Sequence, residues 1–118
     1  EEEMITQKRI NVPIYRYRLQ IIIFDNWEEL KGLIPKDIYE ECYDSRGIAV
    51  NTGCSGIVCV GGEFGSTVIH EAEHIKNYIW RMIGYTPQAD NDETDAYLLT
   101  YLYEQIVTVW HKHNDKKD

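Results

Sequence analysis

The longest helical pattern in the sequence runs from Thr67 to Gly84 and contains the string His-Glu-Ala-Glu-His at positions 70–74. Its apolar residues recur at intervals of three and four, which predicts an amphipathic helix. Ser66 or Thr67 can cap the start of this helix, Gly84 can end it, and Pro87 stops any continuation. The apolar positions are Val68, Ala72, Ile75, Ile79, Met82 and Ile83. Because they form a stripe of their own, the histidines do not belong to the core face.

The two histidines of the string, His70 and His74, are one helical turn apart and lie about 40° from each other around the helix axis. Two imidazoles placed in this way can bind one tetrahedral cation. Zinc is the default cation for nitrogen and oxygen ligands with one open position. Glu71 lies about 100° from His70, so its carboxylate can reach a water on the metal and act as general base. We therefore predict a Zn²⁺ site with Glu71 as the catalytic residue; a chance surface pattern is the alternative.

A catalytic zinc also needs a third protein ligand, and the residues after the first long helix offer several carboxylates. Glu93 lies 19 residues after His74, early in a second predicted helix. A turn at residues 84–87 would fold that helix back and bring its first turn toward the histidines. Glu93 is the predicted third ligand, although it could instead complete a capping box that begins at Asp90.

Other side chains compete with Glu93 for the metal. Asp95 leads these competitors, ahead of Asp90 and Asp92. The pair His111 and His113 near the end of the same helix is disfavoured, because the rise of a helix would place it roughly 27 Å or more from Glu93.

Two tyrosines, Tyr97 and Tyr101, share the Glu93 face of the last helix by their spacing. One of their hydroxyl groups could stabilise an oxyanion or support a metal ligand. Aromatic packing between the helices is the alternative role for both side chains.

The remaining patterns predict strands at residues 10–15 and 19–24, which are joined by a turn at 16–18, and a hairpin formed by residues 47–51 and 56–60. Pro13 makes the first strand an edge strand. A capping box at 25–28 opens a short helix through Leu33, and further helical turns follow at 36–43. Strands and helices are segregated along the chain, so the predicted class is α+β. We expect one domain over residues 1–118, with flexible ends at 1–8 and 112–118.

Composition excludes several classes of partner. The chain of 118 residues carries a net charge of −8, which disfavours binding to duplex nucleic acid or to anionic lipid. Arg16 and Arg18 are its one basic feature. The apolar runs are too short for a membrane helix, and residues 1–4 are acidic where a secretory signal would be basic. Together with three cysteines and no Cys-x-x-Cys pair, these features favour a cytoplasmic location.

The string at 70–74 followed by Glu93-Thr94-Asp95-Ala96 resembles the gluzincin arrangement, in which a glutamate on a second helix completes a zinc site. In several such families a small residue three positions after that glutamate lets the two helices approach closely, and Ala96 fits this role. Tyr97 stands where these families usually have Asp or Asn. More broadly, residues 9–110 resemble small metallopeptidases encoded by bacteriophages and prophages. The segments that carry this likeness are Val12–Tyr15, Asp25–Leu30 and Asn91–Leu98.

The resemblance implies a minimal zincin fold, in which a small antiparallel or mixed sheet packs on an active-site helix and a C-terminal helix. It implies a zinc metalloendopeptidase that hydrolyses peptide bonds and acts on a peptide or protein substrate. The substrate would lie along an edge strand before the active-site helix, expected here at Gly56–Val60. A phage or host protein could be a further partner, in the bacterial cytoplasm or on the virion. The alternative is a non-enzymatic virion or interaction protein that keeps the fold, with or without the metal.

Overall fold

Four strands, one short 3₁₀ helix and three α-helices build the part of the chain that the computed structural model describes, residues 5–116. The strands are β1 (Thr6–Val12), β2 (Tyr17–Phe24), β3 (Gly47–Asn51) and β4 (Ser55–Gly61). The 3₁₀ helix spans Trp27–Leu30, and the α-helices are α1 (Lys36–Glu41), α2 (Thr67–Ile83) and α3 (Glu93–Asp115). Strands and helices are segregated as expected, so the α+β prediction is confirmed.

The four strands form one mixed sheet in the order β1-β2-β4-β3. β2 and β4 are parallel, whereas the two outer pairs are antiparallel. A parallel pair needs a crossover connection, and here the 3₁₀ helix, α1 and β3 all lie between β2 and β4. This crossover places β3 outside β4. The prediction that Gly56–Val60 form an edge strand is therefore wrong, because β4 is paired on both sides and β3 is the edge strand next to it.

Both faces of the sheet are covered, and successive residues of β2 serve different cores. Leu19, Ile21 and Ile23 pack under α2 and α3. Ile22 and Phe24 pack under the 3₁₀ helix and the segment around α1. Burial on both faces explains why residues 21–24 are a continuous apolar run rather than an alternating one.

The first hairpin is displaced from its predicted position. β1 ends at Val12, which is paired with Tyr17, so Pro13–Arg16 form the turn and Pro13 lies outside the strand. β1 is nevertheless an edge strand, as expected. The capping box after β2 is displaced by one residue, because the side chain of Glu29 accepts the backbone N–H groups of Asp25 (2.9 Å) and Asn26 (3.2 Å).

The long helices are close to their predicted limits. α2 ends at Gly84, whose φ of +76° is the left-handed cap conformation that glycine adopts without strain. α3 begins after Asp92, which makes no side-chain capping hydrogen bond, so the capping box predicted at Asp90 is wrong. Between residues 5 and 116, no helix is both long and apolar enough to cross a membrane.

Parts of the two segments that were predicted to be flexible belong to regular elements. Thr6–Lys8 belong to β1 and Lys112–Asp115 to α3, whereas residues 1–4 and 117–118 lie outside the described part. His113 is 1% exposed and joins these ends. Its Nδ1 lies 2.8 Å from Oγ1 of Thr6, and its Nε2 lies 3.0 Å from Oδ1 of Asp25. The end of α3 therefore continues past His111 because a buried imidazole ties it to β1 and to the end of β2.

We expect His113→Ala to lower the free energy of unfolding by about 2–3 kcal/mol, because it removes a buried ring and its hydrogen bonds to Thr6 and Asp25. His111→Ala is the matched control, since His111 is exposed two residues earlier on the same helix. Urea unfolding measures both variants. Equal stability of the two variants would contradict this role of His113.

Candidate metal centre

The structure brings His70 and His74 together on the exposed side of α2. Their ring centroids are 5.0 Å apart, and the ring planes are inclined at 77°. The core side of the helix is formed by Ala72, Ile75 and Ile79, which are fully buried. The separation of the histidines from the apolar stripe is therefore confirmed, and both imidazoles are accessible to a ligand from solvent.

Glu71 occupies a different environment from the two histidines beside it in the helix. Its side chain is only 4% exposed. It faces the start of β3, where Gly47 lies against the Glu71 Cγ atom. Burial raises the pKa of Glu71, and the positive charge that His70 can carry opposes the rise in part. A carboxyl group with a raised pKa holds its proton more tightly than an ordinary glutamate does, which favours its use in general acid–base catalysis.

No residue between 5 and 116 donates a hydrogen bond to the Glu71 carboxylate. Within the same part of the chain, every fully buried side-chain oxygen has a hydrogen-bond partner. The Glu71 oxygens must therefore retain some contact with solvent. The result is a carboxylate held in a recess and open only at its tip, which is costly for folding but useful for proton transfer.

Two residues that the sequence patterns did not single out shape this recess. A Cβ atom at Gly47 would lie 2.6 Å from Cγ2 of Thr67 and 3.1 Å from Cγ of Glu71, so only glycine fits between β3 and α2. Tyr78 donates a hydrogen bond of 3.1 Å to the carbonyl of Ala49 and thereby ties α2 to β3. A glycine within a strand pattern often marks a place where another segment approaches the strand closely, so the sequence offered a signal for Gly47. No sequence pattern indicated the role of Tyr78.

An ion-pair cluster around the buried Lys76 joins α2 to α3. Lys76, 5% exposed, places its Nζ atom 2.9 Å from Oε1 of Glu73 and 2.9 Å from Oδ1 of Asp95. Trp80 Nε1 donates to the same Asp95 oxygen at 2.7 Å. Burial would raise the pKa of Asp95, but the hydrogen bonds from Lys76 and Trp80 outweigh it and lower the pKa. Both oxygens of Asp95 are thus engaged in holding the helices together.

Glu93 is the first residue of α3 and is exposed. It lies about 200° around the helix from Asp95, which faces α2. Among residues 5–116, no three His, Cys, Asp or Glu side chains form a group that could hold a metal ion. The structure therefore gathers His70 and His74 but does not place Glu93 beside them. Ala96, expected between the helices, is also exposed.

Tyr97 and Tyr101 face the first hairpin. With Thr94 and Leu98 they line a groove of about 280 Å³ whose other wall is the β1–β2 turn. Tyr97 is 71% exposed and Tyr101 is half-buried. None of the described contacts joins either hydroxyl to His70 or His74.

The donor set fits zinc in part. Two accessible imidazoles on neighbouring turns are suitable nitrogen ligands, and Glu71 is placed as a carboxylate that does not bind the metal itself. These residues supply two of the three protein ligands of a catalytic zinc, and the third is not assembled within residues 5–116.

At neutral pH we expect Glu71→Gln to raise the free energy of unfolding of the metal-free protein by about 1 kcal/mol, because glutamine carries no charge to bury. Folding raises the pKa of Glu71, so the folded state holds the proton more tightly than the unfolded state does. The stability of the unmodified protein should therefore fall as the pH rises through the range above the ordinary glutamate pKa. The advantage of the variant should disappear in acid.

Thermal unfolding at a series of pH values measures this difference. Glu73→Gln is the matched control, because Glu73 is two residues away but more exposed and paired with Lys76. This control should not be stabilised. A Glu71→Gln protein that is less stable than the unmodified chain at neutral pH would show that the carboxylate has a stabilising partner.

Comparison of the chain with protein-family models, with curated proteins and with solved structures finds no match. The chemistry of the centre thus rests on its own residues, an exposed imidazole pair and a buried carboxylate within two turns of α2.

Proposed function

We propose that this chain is a small zinc-dependent metallopeptidase in which His70 and His74 hold the metal and Glu71 is the general base. The observation that carries the proposal is the contrast within one helical turn. Two exposed imidazoles lie 5.0 Å apart, and the carboxylate beside them is buried without a hydrogen-bond partner in the described chain. A purely structural surface helix has no reason to bury that carboxylate.

Zinc held by these histidines would supply a Lewis acid and lower the pKa of a water molecule. Glu71 takes a proton from the attacking water, whose oxygen bonds to the peptide carbonyl carbon. The C–N bond then breaks, and Glu71 returns the proton to the leaving amine nitrogen. The raised pKa of Glu71 suits both halves of this transfer, because the carboxyl group must be a base first and an acid afterwards.

The edge strand β3 is the proposed binding site for the peptide. Its outer side is a free edge of the sheet, so an extended peptide can add to it through backbone hydrogen bonds. A Cβ atom at Gly47 would lie 3.1 Å from Cγ of Glu71, so we expect a peptide added along β3 to run close to the general base. This placement replaces β4, whose two sides are already paired.

Glu93 stays the proposed third ligand; because it lies away from His70 and His74 in this structure, the start of α3 would have to move for its carboxylate to reach the metal. Asp95, its main competitor, uses both carboxylate oxygens for Lys76 and Trp80 and would have to break a buried ion pair to bind a metal. Glu93 is exposed and makes no ion pair within residues 5–116, so its carboxylate is available.

A non-enzymatic interaction protein is the second candidate, on the virion or in the bacterial cytoplasm, with a phage or host protein as partner. The observation that favours it is the missing third ligand within the described residues. A helix with two exposed histidines can bind a metal ion that has only a structural role. In that case the two candidate functions are distinguished by whether the protein cleaves peptides.

We expect the purified chain to bind one zinc ion and His74→Ala to lose it, because a single imidazole cannot hold the metal. His111→Ala removes an exposed histidine elsewhere and should keep the metal. Equilibrium dialysis with metal analysis measures the stoichiometry and the affinity. Less than one zinc per unmodified chain at saturating metal would refute the site.

We expect Glu93→Ala to weaken zinc binding by at least about tenfold, because it removes the third ligand. Asp95→Asn should unfold at a lower temperature because it weakens the pairing with Lys76, yet it should retain the zinc affinity of the unmodified chain. Loss of affinity in Asp95→Asn alone, measured where the variant is folded, would make Asp95 the ligand.

We expect the zinc-loaded protein to cleave members of a peptide library and Glu71→Gln to lower the rate by at least about a hundredfold while binding zinc normally. Glu73→Gln is the control and should cleave at the normal rate. Cleavage by Glu71→Gln at the full rate would exclude this mechanism. Zinc binding without any cleavage would favour the non-enzymatic candidate.

A further inference from the structure

The β1–β2 turn projects an apolar side chain into solvent by means of a strained backbone. Ile14 has a φ of +71° and is 89% exposed. A β-branched residue rarely adopts the left-handed region, where glycine or asparagine is the usual choice. The next residue but one, Arg16, also has a positive φ, of +56°. Two residues of the turn, Ile14 and Arg16, therefore have strained backbone conformations, and the side chain of Ile14 is exposed to solvent.

The turn is held in this shape from both sides. Tyr15 donates its backbone N–H to the carbonyl of Pro13 at 2.7 Å, and Arg16 donates to the carbonyl of Val12 at 3.0 Å. The Tyr15 ring packs edge-on against Trp80, with centroids 5.4 Å apart. These contacts hold the turn in its strained conformation. Backbone strain that the surrounding structure maintains is typical of functional surfaces.

Beside Ile14 lies the groove of about 280 Å³ between the turn and the first turns of α3. Ile14 itself stands at the rim of this groove, and the other apolar lining residues are Val12, Pro13, Tyr15, Tyr97, Leu98 and Tyr101. Tyr97 is 71% exposed at its rim. One surface of the molecule thus carries both an apolar projection and an apolar groove, which is the arrangement that a self-complementary contact requires.

The same surface carries basic side chains on the first hairpin and an acidic side chain at the start of α3. Residues 5–24 contain four basic side chains and no acidic one, in a chain whose net charge is −8. Arg16 follows the lining residue Tyr15 in the turn, and Asp92 precedes the lining residue Thr94 by two positions at the start of α3. Both are exposed, and neither takes part in an ion pair within residues 5–116.

We propose that this surface is the interface of a two-fold symmetric homodimer. Ile14 of each copy enters the groove of the other, and Arg16 of each copy pairs with Asp92 of the other. A two-fold axis makes each contact occur twice, so the projection and the groove are satisfied together and the assembly closes at two chains. The inference does not depend on the metal site.

Sedimentation velocity of the full chain, from low to high micromolar concentration, tests the proposal. The mass should rise from 13.9 kDa toward twice that value. Ile14→Gly should weaken dimerisation by at least about tenfold, because it removes the projecting side chain. Glycine also relieves the positive φ, so this variant should unfold at the same temperature as the unmodified monomer or at a higher one.

Asp44→Gly is the matched control, because Asp44 has a φ of +65° in the loop before β3 and lies outside this surface. It should dimerise as the unmodified chain does. Arg16→Glu should abolish the dimer, and adding Asp92→Arg to it should restore the dimer by exchanging the two charges. A monomeric mass at every concentration, or a dimer that Ile14→Gly leaves unchanged, would overturn the proposal.

Discussion

The packing of α2 against β3 and β4 is the contact on which the rest of the structure depends. Because Ala72, Ile75 and Ile79 are buried against the sheet, the two histidines on the other side of the helix face solvent. Glu71 lies between these two sides and reaches the edge of β3, where Gly47 leaves room for it. The properties of the candidate centre thus follow from how a single helix is rotated on the sheet.

The opposite side of α2 shows how polar groups are accommodated when they serve the fold. Lys76 is nearly as buried as Glu71, but it contacts Glu73 and Asp95, and Asp95 in turn accepts from Trp80. Such a cluster satisfies its charges internally. Glu71 has no equivalent partner in the described chain, and this difference between two buried ionisable groups on one helix is the reason to assign them different roles.

Several elements were predictable because their determinants are local. The limits of α2, the β3–β4 hairpin and the imidazole pair depend on helical spacing, caps and turn residues. The position of β4 was not predictable, since a hairpin pattern does not reveal that β4 pairs in parallel with β2. The ordered end of α3 was missed for the same reason, because His113 acquires its partners from Thr6 and Asp25, far away in sequence.

By itself the sequence determined the α+β class and the placing of two histidines and a glutamate on one helix, because helix geometry converts spacing directly into direction. Only the tertiary structure decided that Glu71 is buried, that Asp95 rather than Glu93 faces α2, and that β3 rather than β4 is an edge strand. Each of these depends on which element lies against another. Contacts between distant segments follow from the topology of the sheet, which local patterns do not encode.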